Sequence, residues 1–131
     1  MTMTTDPVSA GDAMEESGDL TLRRYQQTVD EWIRAVGVRY YSELTNTAVL
    51  MEEVGEVARL MARLYGEQSF KDPEEAYDLA DEFADVLFVL ICLANQTGVD
   101  LTQAVHRNLQ KKTRRDRERH QANEKLQQGS S

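Results

Sequence analysis

The chain has 131 residues, a net charge of −8 and a pI near 4.7, enough length for one domain with a real core and an acid excess that disfavours nonspecific binding to nucleic acid. It contains no run of about 18 apolar residues, so no membrane span is expected. Its single Cys92 lies in the apolar run 86–93 and reads as a buried, inert thiol of a cytoplasmic protein.

Residues 1–20 carry five acids and no base and are expected to form a disordered tail. A helical domain is expected over 21–126, followed by a frayed tail at 127–131. The first helix is predicted from Thr21, a plausible N-cap, to Val36, with Leu22, Tyr25, Val29, Trp32, Ile33 and Val36 on one apolar stripe. Trp32 falls on that stripe and reads as core.

The second helix is predicted over 43–65, striped by Leu50, Val54, Val57, Met61 and Leu64, and is stopped by Gly66. Asp72-Pro73-Glu74-Glu75 combines an N-cap, a proline at the first helical position and an acid at the third, which predicts a third helix running to about Thr97. Its apolar residues are Leu79, Phe83, Val86, Leu87, Leu90, Ile91 and Ala94. Gly98 ends it, and Asp100 with Gln103 resembles a capping box opening a fourth helix toward Lys125. Nothing reads as a strand. The fold class is all-α, a four-helix bundle. Helices two and three are apolar over more than one face, which predicts completion by homo-oligomerisation.

Chemistry concentrates in two carboxylate pairs, Glu53 with Glu56 and Glu82 with Asp85. Each pair stands at i, i+3 in a strongly apolar stretch, so each shares a helix face. If the two helices pack together, four carboxylates converge, which is costly without a cation. An all-oxygen donor set suits Mg²⁺, Mn²⁺ or Ca²⁺, with Mg²⁺ the expected cofactor and Mn²⁺ its substitute. A di-iron site would want Glu-x-x-His pairs, and the only histidines are His106 and His120. Mg²⁺ held by carboxylates keeps coordination places for phosphate oxygens. Lys111 and Arg115, at i, i+4 on the fourth helix, and Lys71, between the second and third, are the candidate cations for a polyphosphate. The basic strip over 107–125 lacks interleaved aromatics and contains Asp116, Glu118 and Glu124, so no specific nucleic acid is expected.

Glu52-Glu53-x-x-Glu56, followed by Glu82-x-x-Asp85, resembles the signature of the MazG-like all-α nucleoside triphosphate pyrophosphohydrolases. The segment 87–95, Tyr65-Gly66-Glu67 and the Lys-x-x-x-Arg-Asp pattern at 111–116 are similar to the short, single-domain YpjD-like branch, and the likeness spans about 22–119. The resemblance implies hydrolysis of a nucleoside triphosphate between its α and β phosphates, giving monophosphate and pyrophosphate, by a Mg²⁺-dependent homodimer or homotetramer that clears noncanonical or surplus nucleotides. It makes Glu53, Glu56, Glu82 and Asp85 the metal ligands and leaves Glu52, one turn from Glu56, to orient the attacking water or bind a further metal. Asp81 stands where many relatives have a second glutamate. Tyr41 and Asn46 are the candidates for contacting the base. The polar Asn95, where an apolar residue was expected, reads as a bond to a neighbouring helix end, with contact to a ligand as the alternative. The competing reading is a catalytically silent helical oligomer that binds a partner.

Overall fold

The structure, a computed structural model, describes residues 18–69, 78–123 and 125. The Asp72-Pro73 helix start, Lys71, the 127–131 tail and the N-terminal tail up to residue 17 lie outside the described residues. Among those described there is no strand. Among the described residues four α-helices follow one another: α1 (Leu22–Trp32), extended by a π-helical turn (Ile33–Gly37), α2 (Glu43–Tyr65), α3 (Leu79–Gln96) and α4 (Leu101–Ala122). They fall into two compact units, one ending at Gly98 and the other starting at Val99.

The helix starts are set by short polar side chains that satisfy free N–H groups in the first turn. The Thr21 hydroxyl accepts from Arg24 N at 3.1 Å, and Ser42 accepts from Thr45 N at 3.2 Å. Within the described residues α3 starts from Asp78, whose carboxylate accepts from Ala80 N at 2.9 Å. In the second unit Asp100 accepts from Gln103 N at 3.2 Å. The Gln103 side chain in turn accepts from Arg107 Nη2 at 3.1 Å.

Gly66 stops α2, though not through a left-handed backbone. Its φ is −103°, and glycine is required because an added Cβ would lie 2.5 Å from Ala62 O. Gly98, at φ 70°, supplies the left-handed residue after α3.

In the first unit α3 packs against both α1 and α2. Leu60 of α2 and Ile91 of α3 are fully buried, with Val29, Ile33, Val89, Cys92 and Ala94 completing the core. The buried line of α2 differs from the stripe the sequence suggested. Asn46 and Leu60 are buried and Glu53 is half-buried, as are Leu50 and Val57 of the expected stripe, while Val54, Met61 and Leu64 stay exposed. On α3 likewise, Val89 and Cys92 are buried, whereas Phe83, Leu87 and Leu90 are 53, 42 and 43% exposed. The two helices turn Glu53, Glu82 and Asp85 inward beside this core and leave a second apolar flank open on each.

Trp32 is also only partly covered. It meets Phe88 edge to face at 5.7 Å between ring centroids. The wider π turn carries Val36 off the α1 stripe into solvent. Directly after it, Val38 adopts φ 71°, ψ −53°, and Arg39 N donates to Gly37 O at 2.9 Å. This is a γ-turn of the strained hand, at a β-branched residue for which positive φ costs about 1–3 kcal/mol.

Candidate metal centre and nucleotide site

Glu53 on α2 and Glu82 and Asp85 on α3 come together. All three are half-buried, and one carboxylate oxygen from each lies within 4.8 Å of the others. The i, i+3 spacing puts Glu82 and Asp85 on one face of α3, and the inward rotation of α2 aims Glu53 at them. Glu53 is held above the ordinary carboxylate range, first by burial and then by the charges of Asp85, Glu82, Glu56 and Glu52. Glu82 is raised too, by desolvation and then by Asp85, Glu56 and Asp81. Each cause disfavours the ionised form, and a cation seated among the oxygens would remove the like-charge part.

Glu56 is exposed on the edge of α2 and stands outside the close trio, although its charge reaches both Glu53 and Glu82. Glu52 is exposed beside Glu53. The trio fits a hard divalent cation: it offers only carboxylate oxygens, converging and partly shielded from water.

About one turn from the acids along both helices, a cavity of about 280 Å³ opens. Trp32, Tyr40, Tyr41, Asn46, Phe88 and Cys92 are among its walls. Asn46 is buried, and its Nδ2 donates to Gln96 Oε1 at 2.8 Å. Gln96 in turn donates to the Tyr41 carbonyl at 2.6 Å, so the Tyr41 backbone is tied down while its ring stays exposed.

A second network holds the 37–42 loop. Asn95 Nδ2 donates to Tyr40 Oη and to Gln26 O at 3.1 and 3.0 Å, and its Oδ1 accepts from Gln26 Nε2 at 3.1 Å. Asn95 therefore bonds a neighbouring helix, as its polarity suggested, but within α1 at Gln26 and not at a helix end. Tyr40 Oη donates to Asp30 at 2.7 Å, and Arg34 donates to the same carboxylate at 2.9 Å. The Arg34 bond and then the Tyr40 bond hold Asp30 below its usual range. Burial and the bond to Asp30 push Tyr40 up to about 12.

The sequence reading missed Tyr25 as a neighbour of the acids. Its phenol is raised mainly by burial and further by Cys92 and Asp85. It also lines a small cavity of about 150 Å³ with Thr28, Val29, Trp32 and Phe88. Its place on the α1 stripe suggested packing alone. Lys111 and Arg115 lie on α4 in the second unit, both exposed, and Arg115 Nε pairs with Asp116 at 3.3 Å.

Residues 41–120 match the MazG nucleotide pyrophosphohydrolase domain. The chain belongs to that family. It is 40% identical over 101 residues to the uncharacterized protein YpjD of Bacillus subtilis, covering 77% of this chain and 91% of that one. The crystal structure of Bacillus subtilis YpjD is similar with a TM-score of 0.62 at 38% identity, over 72% of this chain and 95% of the other. A Bacillus-conserved MazG protein, a nucleotide pyrophosphohydrolase, is similar with a TM-score of 0.60 at 34% identity, over 72% and 91%. This MazG-family chain is thus a pyrophosphatase, a hydrolase of phosphoanhydrides, and the carboxylate trio lies within the matched segment.

Proposed function

We propose that this MazG-family enzyme cleaves ribo- or deoxyribonucleoside triphosphates between the α and β phosphates in a Mg²⁺-dependent reaction, removing noncanonical or surplus nucleotides from the cytoplasm. The convergence of Glu53, Glu82 and Asp85 carries this reading. These three hold the cation, and Glu56 extends the site toward solvent as a fourth ligand. A divalent cation bound there neutralises charge on phosphate oxygens and makes a water more acidic. Mn²⁺ can substitute, since the same oxygen donors suit it.

Glu52, exposed beside Glu53, orients the attacking water toward the α phosphorus. The base occupies the cavity one turn away, with the Tyr41 ring stacking on it and Asn46 closing its inner wall. The networks through Gln96 and Asn95 keep that wall in place before substrate arrives, which is what catalysis by positioning requires. Lys71, Lys111 and Arg115 are the candidate cations for the polyphosphate. The open apolar flanks of α2 and α3 support a homodimer or homotetramer.

Incubation with Mg²⁺ and a panel of ribo-, deoxyribo- and modified nucleoside triphosphates, with chromatographic identification of products, tests the proposal. Monophosphate plus pyrophosphate is expected. Diphosphate plus phosphate, or no turnover of any member, would contradict it.

A further inference from the structure

Arg63 is seven residues beyond Glu56, and two turns of helix return a side chain to within about 20° of the same direction. It therefore stands on the Glu56 edge of α2, nearer the helix C-terminus. Its Nη1 donates to the Arg59 carbonyl at 3.1 Å, so the side chain folds back toward the carboxylates, as helix geometry favours. The bonded carbonyl belongs to a residue only three past Glu56, about 4.5 Å along the axis.

The guanidinium is under-bonded. Its Nε is closed off from solvent and has no acceptor, and among the described residues no carboxylate pairs with it. A shielded donor without an acceptor is uncommon and costly, and a charged one has most to gain from an anion.

The features of α2 also have an order. Asn46 and Val49 line the cavity, Glu53 and Glu56 follow, and Arg63 comes last. A nucleotide laid along the helix, with its base in the cavity and its α phosphate at the carboxylates, points its two outer phosphates at Arg63. The C-terminal end of a helix carries partial negative charge, so an anion directed there needs a cation to meet it.

We propose that Arg63 grips the β and γ phosphates, the leaving pyrophosphate, and so fixes the direction in which the substrate lies along α2. This rests on the nucleotide-hydrolysis reading above.

The test compares wild type with Arg63→Gln and Arg63→Lys in Mg²⁺, using the best triphosphate of the panel and product inhibition by inorganic pyrophosphate and by the nucleoside monophosphate. A lost charge-assisted bond predicts that Arg63→Gln lowers kcat/KM and weakens pyrophosphate inhibition, each by roughly ten- to a hundredfold. Monophosphate inhibition and helix content stay unchanged. Lysine keeps the charge without the two-bond fork, so Arg63→Lys recovers part of both losses. Unchanged pyrophosphate inhibition in Arg63→Gln, or an equal loss against monophosphate, overturns the proposal. Should Arg63→Gln lose helix content, pyrophosphate inhibition of Arg63→Lys decides, and a value equal to wild type overturns it. If wild type turns over no nucleotide, the functional reading fails, and calorimetric titration of Mg²⁺-pyrophosphate into wild type and Arg63→Lys still decides whether Arg63 binds it.

Discussion

Glu53 and Glu82 hold their protons more tightly than ordinary carboxylates because burial and neighbouring acids penalise the second and third charges. Their contribution to metal-free stability is therefore complete below the unfolded-state value of about 4.3, and is lost as pH rises through their raised folded-state values. A divalent cation bound there would compete with those protons and replace them at higher pH. The difference in Tm between Mg²⁺-loaded and metal-free protein should be small near pH 4.5 and widen by about pH 7.5, where the carboxylates are ionised. Thermal melts across that range measure it, and a constant difference would contradict the assignment. Glu53→Gln or Asp85→Asn should abolish the Mg²⁺ shift and lower kcat by roughly a hundredfold or more, with helix content intact by circular dichroism. Activity near wild type would remove the trio from the mechanism. The i, i+3 spacing made the acids legible, but side-chain spacing within each helix could not show that Glu56 stands aside from the closest approach. That depends on how α2 is rotated against α3. Tyr25 was hidden for the same reason, since its neighbour Asp85 is sixty residues away in the chain.

At the scale of elements, the helices and several caps follow from local chemistry, as Thr21 and Asp100 illustrate. The π turn and the γ-turn at Val38 do not, because no local residue preference asks for a valine at positive φ. The loop is held by contacts distant in sequence, chiefly Asn95 with Gln26 and Tyr40. Asn95→Leu should strip those partners and cost about 1–3 kcal/mol, read as a lower denaturant midpoint at unchanged m. A neutral result would show that the network does not restrain the loop. The apolar sets of α2 and α3 were legible, but hydrophobicity alone could not divide them between core and surface. Ile91 and Ala94 are buried while Phe83, Leu87 and Leu90 face outward, and the lines that hold Glu53, Glu82 and Asp85 face each other.

For the whole molecule, those outward flanks set an expectation. Phe83, Leu87 and Leu90 share one side of α3, and Met51, Val54 and Met61 one side of α2, all exposed within the single chain. A second copy covering them would account for their composition. Sedimentation should show a dimer or tetramer for wild type and a monomer for Leu87→Glu, whereas a monomeric wild type would leave the flanks unexplained by self-association. In the proposed reaction water attacks the α phosphorus at the Glu53, Glu82 and Asp85 centre. Hydrolysis of a triphosphate in ¹⁸O-labelled water with Mg²⁺, followed by mass spectrometry of both products, tests this. The label is expected in the nucleoside monophosphate and not in the pyrophosphate; label in pyrophosphate, or in inorganic phosphate released beside a diphosphate, would overturn the proposed site of attack.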